Sequence, residues 1–291
     1  MDTRTESKTA FVLAGGGSLG AVQVGMLKAL TKAGIHPDFI VGASVGAING
    51  AYFAGRPDEK GLHELATIWS GLSGREIFPF SIMRGLLRLS LRHDYLLEPA
   101  GLHKLFENNL PYRMLEEAAV PCHIIATDII GGQEVVFSKG PVSTALLAST
   151  AIPAIFPPVV VENRFLVDGG VANNTPISTA IDLGATRVIV LPTGFACALK
   201  TPPRGAVPIV LQAMNLIIAR QLATDLVMLA GKAELKAVPP LCPMAVSPYD
   251  LSHSAELITQ ATYSTLGWIE SGGLEQVGVP MTLYPHNHNM N

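Results

Sequence analysis

Short apolar runs alternate with longer amphipathic segments along the first part of the chain. Residues 9–14 and 39–41 are apolar and rich in β-branched or aromatic side chains, which predicts two strands. Between them, residues 21–33 carry apolar side chains on one face of a helix that ends at Gly34. Strands and helices that alternate through short loops are typical of an α/β fold with a mostly parallel sheet.

The same two patterns continue along the rest of the chain. Helical spacing predicts helices at 58–70, 101–109, 142–149, 206–232 and 254–271. Apolar or alternating runs predict strands at 121–127, 133–138 and 187–192, a hairpin at 159–167 and a last short strand at 244–247. The 206–232 pattern is so apolar that we expect that helix to pack in the core or against a partner. A proline-rich loop at 149–158 either walls a hydrophobic cleft or serves as a rigid connector.

The second predicted strand leads into a serine flanked by glycines, in the order Gly42-Ala43-Ser44-Val45-Gly46. A strand, a sharp turn with a serine at its apex and a helix of small residues match the nucleophile elbow of serine hydrolases. A Cβ atom at either glycine would crowd the neighbouring strand and helix, which explains the glycines. The alternative is that Ser44 only caps the helix that follows.

A second glycine-rich turn, Gly15-Gly16-Gly17-Ser18-Leu19-Gly20, follows the first predicted strand. Its spacing fits the dinucleotide-binding fingerprint, but that fingerprint also needs an acidic residue near the end of the second strand. The nearest acid, Asp38, precedes that strand, and Ser44 stands at its end. We therefore favour an oxyanion hole, in which backbone N–H groups face a developing negative charge. A nucleotide-binding oxidoreductase that uses Gly15 to Gly20 stays as the alternative.

A serine nucleophile needs a nearby proton acceptor. None of the eight histidines lies in a setting that would present it at the end of a strand. Asp168 does, because it follows the predicted hairpin and precedes Gly169 and Gly170. An aspartate that hydrogen-bonds the serine in a partly desolvated site can act as the base. The alternative is that Asp168 only forms the turn before the two glycines.

The composition narrows the classes of function. Of the 291 residues, 48% are hydrophobic and 15% are charged, which suits a large core or an apolar surface for lipid or a partner. A net charge of −3 gives no support to nucleic-acid binding. The three cysteines, Cys122, Cys197 and Cys242, are too sparse for a disulfide framework and lack zinc-site spacing. We therefore expect neither a cofactor nor a metal.

The sequence also predicts where the protein is found. We see no signal peptide and no apolar run of the roughly 20 residues that span a membrane, so we expect a cytoplasmic protein. Residues 80–92 place Arg84, Arg88 and Arg92 on one helical stripe opposite apolar side chains. Such a helix suits an anionic membrane surface or a lid, although an ordinary half-buried surface helix fits equally well.

We expect a single domain, and the sequence does not indicate its oligomeric state. The expected parts are a flexible N-terminus at 1–8, the domain at 9–285, a candidate lid or membrane-facing insertion at 75–110, a variable C-terminal helical part at 200–285 and a tail at 286–291.

Four motifs in this order resemble the patatin-like phospholipase family: the glycine-rich turn, the serine elbow, the loop at 149–158 and the Asp168-Gly169-Gly170 turn. The resemblance covers roughly residues 9–195. It implies a three-layer α/β/α sandwich around a mixed, mostly parallel sheet. It also implies Ser44 as nucleophile and Asp168 as base, without a histidine. In that family pattern, Gly15, Gly16 and Gly17 form the oxyanion hole, and Gly42, Gly46 and Gly169 support the motifs.

The implied activity is hydrolysis of fatty-acyl esters of lipids through an acyl-enzyme on Ser44, of phospholipase A, lysophospholipase or esterase type, with no metal. One departure is Leu19, where family members often carry an arginine, so the resemblance predicts no head-group contact there. A non-catalytic lipid-binding protein with the same fold is the remaining alternative.

Overall fold

The computed structural model describes residues 7–72, 95–199, 201–248, 250–276, 278–284, 286 and 288. The predicted basic helix at 80–92, with Arg84, Arg88 and Arg92, lies outside the described residues. So do most of the N-terminus at 1–8 and the first part of the candidate insertion at 75–110. Among the described helices, none has the combination of length and apolar composition that crossing a bilayer requires.

Within the described residues, eight strands form one mixed sheet. They are β1 (Thr9–Leu13), β2 (Phe39–Ala43), β3 (Cys122–Asp128), β4 (Glu134–Phe137), β5 (Val159–Val161), β6 (Arg164–Asp168), β7 (Arg187–Leu191) and β8 (Glu234–Ala237). The order is β5-β6-β3-β2-β1-β7-β8, and β4 also pairs with β3. The run from β3 to β8 is parallel, whereas β4 and β6 pair antiparallel with β3, and β5 with β6.

Helices cover both faces of this sheet. They are α1 (Ala21–Lys32), α2 (Val45–Gly55), α3 (Glu59–Gly71), α4 (Ala100–Asn109), α5 (Val142–Ser149), α6 (Gly170–Asn173), α7 (Ile177–Asp182), α8 (Ala206–Met228) and α9 (Ser254–Glu270).

Alternate residues of β1 show how the layers form. Phe11 and Leu13 are fully buried in a core cluster with side chains of α1, α2, α3, α4, α5 and α9. Ala10 and Val12 point to the opposite face, where a second cluster contains side chains of α7 and α8. A sheet buried on both faces by helices confirms the predicted three-layer α/β/α sandwich.

One prediction in the C-terminal part is wrong. Residues 244–247 form no strand, and the last strand is instead β8. The sequence of β8 does not have the apolar pattern of a buried strand, since this strand lies at the edge of the sheet and contains Glu234 and Lys236. The Lys236 side chain is nonetheless buried, and its Nζ donates a hydrogen bond to the carbonyl of Gln276 at 2.9 Å.

The predicted long helix ends at Met228 and is only partly buried. Its side chains in the core include Leu222 and Leu226, whereas Ile217 and Met228 are exposed. The helix therefore packs in the core on one side, as expected, and packing of its exposed side against a partner stays a prediction.

The hairpin predicted around Glu162 and Asn163 is confirmed as β5 and β6. Both turn residues have positive φ angles, 48° and 62°. Positive φ at two successive residues is the geometry of the tight turns that match the twist of paired strands.

The register of the sheet sets the position of the site. Ala43 of β2 pairs with Ile125 of β3, and the next residue of β3, Ala126, pairs with Asp168 of β6. The residue after β2 is Ser44. Ser44 and Asp168 therefore lie at the same level of the sheet on either side of β3.

Candidate active site

Ser44 lies at the turn between β2 and α2 in a backbone conformation that non-glycine residues rarely adopt, with φ 52° and ψ −126°. Close packing around the turn excludes larger neighbours. A Cβ at Gly42 would lie 2.6 Å from the Gly46 carbonyl oxygen, and a Cβ at Gly46 would collide with the Leu13 carbonyl. The two glycines therefore let β1, β2 and α2 meet closely enough to hold the serine in this conformation.

The Ser44 side chain contacts Asp168 directly. Its Oγ donates a hydrogen bond to Asp168 Oδ2 at 2.7 Å. The other carboxylate oxygen, Oδ1, accepts a hydrogen bond from the Gly170 N–H at 2.8 Å. A Cβ at Gly169 would collide with the Ile125 carbonyl, so the glycine allows the chain to turn directly against β3. The structure thus brings together the two side chains that the sequence analysis paired.

Burial sets the acidity of Asp168, whose exposed fraction is 7%. Desolvation raises its pKa from 3.8 to about 6, although the hydrogen bonds from Ser44 and Gly170 oppose the rise. At neutral pH the group is a carboxylate that is a stronger base than an exposed aspartate. This is the direction in which enzymes shift a carboxyl group that serves as a general base.

Ser149, at the end of α5, holds both halves of the pair. Its side chain is fully buried, and its Oγ accepts a hydrogen bond from the Ser44 N–H at 2.9 Å. Its carbonyl accepts one from the Gly169 N–H at 3.1 Å. No motif in the sequence assigns a function to Ser149. The signal that could have identified it is its position, where the predicted helix meets the proline-rich loop.

Thr127 provides a second brace. Its Oγ1 donates to the Asp168 carbonyl at 2.8 Å and accepts from the Ala172 N–H at 3.1 Å. The backbone on both sides of the carboxylate is therefore fixed by a buried hydroxyl group.

The glycine-rich turn lies against Ser44, since a Cβ at Gly15 would be 3.1 Å from the Ser44 Cβ. The Gly15 N–H donates a hydrogen bond to the Asn174 carbonyl at 3.1 Å. The Gly15 carbonyl accepts from Thr193 Oγ1 at 2.9 Å and from Asn174 Nδ2 at 3.3 Å. We therefore revise the expectation that Gly15 donates to an oxyanion, because its N–H is already engaged inside the protein.

Gly16 and Gly17 differ from Gly15 in this respect. Among the described residues, their N–H groups have no hydrogen-bond acceptor. Gly17 has a φ angle of 60°, a conformation that favours glycine, and it borders the same cleft as Ser44. Backbone donors without an internal acceptor, in a turn that lies against the serine, are the kind of group that can stabilise a developing oxyanion.

A buried polar network fixes the glycine-rich turn to the elbow helix. Gln23 Nε2 donates to the carbonyls of Ala14 and Leu191 at 2.8 and 2.9 Å. Asn49 Nδ2 donates to Gln23 Oε1 at 2.9 Å, and Trp69 Nε1 donates to Asn49 Oδ1 at 2.8 Å. Both amide side chains are fully buried and hydrogen-bonded, so they rigidify the site from behind.

The dinucleotide-binding alternative lacks its acidic residue in the structure. Asp38 Oδ2 accepts a hydrogen bond from the N–H of Thr9, the first residue of β1. The glycine-rich turn follows the other end of that strand. No carboxylate among the residues described at the end of β2 occupies the position that would hold a ribose.

An apolar cleft opens beside Ser44, with roughly 850 Å³ of empty space, including space open to solvent. Ser44 and Gly17 border it, and Ile152 and Phe156 of the proline-rich loop form part of its wall. Most of the other lining side chains are apolar and come from α2, α3 and α4, among them Ile48, Leu65, Ile68, Leu102 and Phe106. This lining suits an extended hydrocarbon group.

None of the described histidines forms a hydrogen bond with Ser44. Its side-chain hydrogen bond goes to Asp168, and the one histidine inside a described strand, His123, contacts Ser138 Oγ at 2.7 Å instead. Burial lowers the pKa of His123. A histidine-based triad is therefore not formed within the part of the chain that the structure describes.

Comparisons with known proteins show similarity to patatin-like phospholipases. A family model described as patatin-like phospholipase matches residues 11–181, which is more than half of the chain. A patatin-like phospholipase domain-containing protein of Caenorhabditis elegans is 31% identical over 193 residues, covering 65% of this chain and 14% of that protein. An uncharacterised NTE family protein of Mycobacterium bovis is 30% identical over 185 residues, covering 63% of this chain and 48% of that protein.

The matched segment is therefore a small to moderate part of these relatives' own length. Among solved structures, VipD from Legionella pneumophila aligns over 93% of this chain and 67% of its own, with a TM-score of 0.49 and 15% identity.

Proposed function

Because the chain belongs to the patatin-like phospholipase family, we propose that it hydrolyses fatty-acyl esters of lipids, with Ser44 as nucleophile and Asp168 as general base. The observation that carries this proposal is the 2.7 Å hydrogen bond from Ser44 Oγ to a buried carboxylate at the edge of an apolar cleft. A structural serine has no need of a strained turn, a raised carboxyl pKa and a cleft in the same place.

In the acylation step, Ser44 Oγ attacks the ester carbonyl carbon while Asp168 Oδ2 takes the hydroxyl proton. The carbonyl oxygen becomes an oxyanion in the tetrahedral intermediate. When that intermediate collapses, the bond to the leaving alcohol breaks and the alcohol takes the proton from Asp168. The fatty-acyl group is then bound to Ser44 as an ester.

In the deacylation step, a water molecule attacks the acyl carbonyl and Asp168 takes a proton from it. Collapse of the second tetrahedral intermediate breaks the bond to Ser44 Oγ, which recovers the proton. The products are a free fatty acid and the enzyme in its starting state. A carboxyl pKa of about 6 fits both roles, because the group accepts a proton near neutral pH and releases it again.

The oxyanion donors in this mechanism are the N–H groups of Gly16 and Gly17, together with that of Val45. Val45 follows the nucleophile at the start of α2 and borders the cleft, and first-turn N–H groups of a helix have no intrahelical acceptor. Gly15 is left out because its N–H is bonded to Asn174.

The cleft lining supports an acyl chain as the group that is bound. Its walls are mostly aliphatic and aromatic, and Ile152 and Phe156 extend the apolar surface next to Ser44. We propose an ester of a long-chain fatty acid as the substrate class, since burial of each CH₂ group is worth about 0.8 kcal/mol.

The test is hydrolysis of p-nitrophenyl esters and of phosphatidylcholine by the purified protein. We expect Ser44→Ala to abolish both activities, whereas Ser70→Ala, which removes an exposed hydroxyl on α3, leaves them unchanged. We also expect kcat/KM to rise with acyl length. Equal activity of Ser44→Ala and the Ser70→Ala control would reject the proposed nucleophile.

A further inference from the structure

Four sulfur and nitrogen side chains converge outside the cleft. They are Cys197 after β7, Cys242 after β8, and His286 and His288 near the end of the chain. Each offers one ligand atom, and these four atoms all lie within 4.8 Å of one another. Cys242 Sγ is 3.9 Å from Cys197 Sγ, 3.1 Å from His286 Nε2 and 3.0 Å from His288 Nε2.

These separations have the scale of a tetrahedral metal site. With Zn–S bonds of about 2.3 Å and Zn–N bonds of about 2.0 Å, the edges of a tetrahedron are about 3.8 Å between sulfurs and about 3.5 Å between sulfur and nitrogen. A disulfide would need the sulfurs at about 2.05 Å, well below the 3.9 Å between Cys197 and Cys242. The two cysteines are therefore reduced thiols, and they lie next to two imidazole groups.

We propose that Cys197, Cys242, His286 and His288 bind one zinc ion in a closed structural site. Two thiolates neutralise the charge of Zn²⁺, so a neutral complex forms in a setting where Cys197 is buried and Cys242 and His286 are half-buried. Four protein ligands leave no open position for substrate, which is the pattern of structural rather than catalytic zinc.

Groups around the ligands favour the same assignment. His286 Nδ1 lies 2.7 Å from the Tyr284 carbonyl, so Nδ1 carries the proton and Nε2 is left with the lone pair that binds metal. The Met244 N–H donates a hydrogen bond to Cys197 Sγ at 3.3 Å, which stabilises a thiolate.

The proposed site would brace the glycine-rich turn. Cys197 lies four residues after Thr193, whose hydroxyl donates to the Gly15 carbonyl. Cys242 begins the segment whose Ser247 and Pro248 carbonyls accept hydrogen bonds from the side chain and the N–H of Ser18. The metal would therefore tie together two segments that hold the turn beside Ser44, without taking part in hydrolysis.

Local spacing could not predict this site. The two cysteines are 45 positions apart, and the two histidines lie near the end of the chain. Zinc motifs that are recognisable in a sequence have pairs of ligands separated by two to five intervening residues, whereas a single residue separates His286 from His288.

The test uses protein expressed without a polyhistidine tag in zinc-supplemented medium, with metal content measured by inductively coupled plasma mass spectrometry. We expect about one zinc per chain, falling to below about 0.2 in Cys242→Ser and in the double variant His286→Ala/His288→Ala. Matched controls are Cys122→Ala, at a buried free thiol elsewhere, and His103→Ala, at an exposed imidazole, and both should keep their zinc.

A second measurement does not depend on the folding of variants. The wild-type protein is stripped with a chelator under reducing conditions and titrated with Co²⁺, which gives intense visible bands and thiolate-to-cobalt charge transfer in a tetrahedral thiolate site. We expect both at one equivalent and their displacement by zinc. The proposed site would be overturned if the purified wild-type protein contains no zinc and the stripped protein develops no such bands on titration. It would also be overturned if Cys242→Ser gives the same cobalt spectrum as the wild-type protein. The readout is metal binding, so it is independent of the proposed hydrolysis.

Discussion

Because Asp168 is buried, its charge should affect the stability of the folded protein as well as its activity. The substitution Asp168→Asn keeps the size of the side chain and its ability to hydrogen-bond Ser44 Oγ and the Gly170 N–H, but it removes the charge. Because Asp168 is 7% exposed, the native protein must desolvate this carboxylate whenever it is ionised.

The size of that cost follows from the pKa. A rise from 3.8 in the unfolded chain to about 6 in the native state corresponds to about 3 kcal/mol of unfolding free energy. Between these values the native state holds the proton and the unfolded state does not. Stability of the wild-type protein therefore falls as pH rises from about 4 to about 6, and the cost is fully present above that range.

We therefore expect Asp168→Asn to be inactive and yet more stable than wild type at pH 8, by up to about 3 kcal/mol. The difference should shrink as pH falls and should vanish near pH 4, where the wild-type carboxyl group is protonated. Urea unfolding followed by circular dichroism at pH 8, 6 and 4.5 measures it.

The control is Asp128→Asn, at a half-buried aspartate that also accepts backbone hydrogen bonds, from Ile130 and Gly131. It should show no comparable gain at pH 8. A gain for Asp168→Asn that is the same at pH 4.5 and pH 8, or a loss of stability at pH 8, would refute the account of burial given for this carboxylate.

Three further predictions follow from the site. For wild type, kcat/KM for a p-nitrophenyl ester should fall about tenfold per pH unit below about 6 as Asp168 takes up its proton, and a limb near pH 4 instead would contradict this. Ser149→Ala should leave the Ser44 N–H without a hydrogen-bond acceptor and lower the unfolding free energy by about 1–3 kcal/mol. We also expect a lower kcat with little change in KM, and a change in KM alone would exclude a role of Ser149 in positioning Ser44. Gly42→Ala should lower the unfolding free energy by more than about 2 kcal/mol, because the new Cβ would meet the Gly46 carbonyl. The control Gly71→Ala should not destabilise the protein, because a Cβ there meets nothing within 4 Å. Equal effects of the two substitutions in urea unfolding would argue against close packing at the serine turn.

Local patterns predicted the elements that carry the site. The apolar run before Ser44, the flanking glycines and the small residues after it indicate a strand, a turn and a helix, and the structure has these as β2 and α2. Periodicity also predicted the longer helices α1, α3, α4, α5, α8 and α9. These features could be read because each depends on residues close together in the sequence.

The place of Asp168 depends on information that periodicity does not contain. The sequence predicts Asp168 at the end of a strand, but it does not show that this strand, β6, is antiparallel to β3. Asp168 reaches Ser44 because β6 ends level with Ala126, in the middle of β3. The pairing register, rather than the strand direction, aligns the two side chains.

The other features that the sequence did not predict depend on contacts between distant segments of the chain. The Gly15 N–H could not be known to bond the Asn174 carbonyl, and Ser149 could not be known to reach the Ser44 N–H. The strand β8 was not predicted because the sequence does not show that Lys236 is buried, with its Nζ bonded to the Gln276 carbonyl and close to Glu234. Each of these depends on tertiary packing that overrides local preference.

The most direct test of the central claim is labelling with a fluorophosphonate probe followed by peptide mass spectrometry. A Ser44 Oγ that is activated by Asp168 should attack the phosphorus, so the account predicts one labelled peptide, modified at Ser44, with labelling slowed at least about 100-fold in Asp168→Asn. Labelling at another serine, or labelling of Ser44 at the same rate in Asp168→Asn, would contradict it.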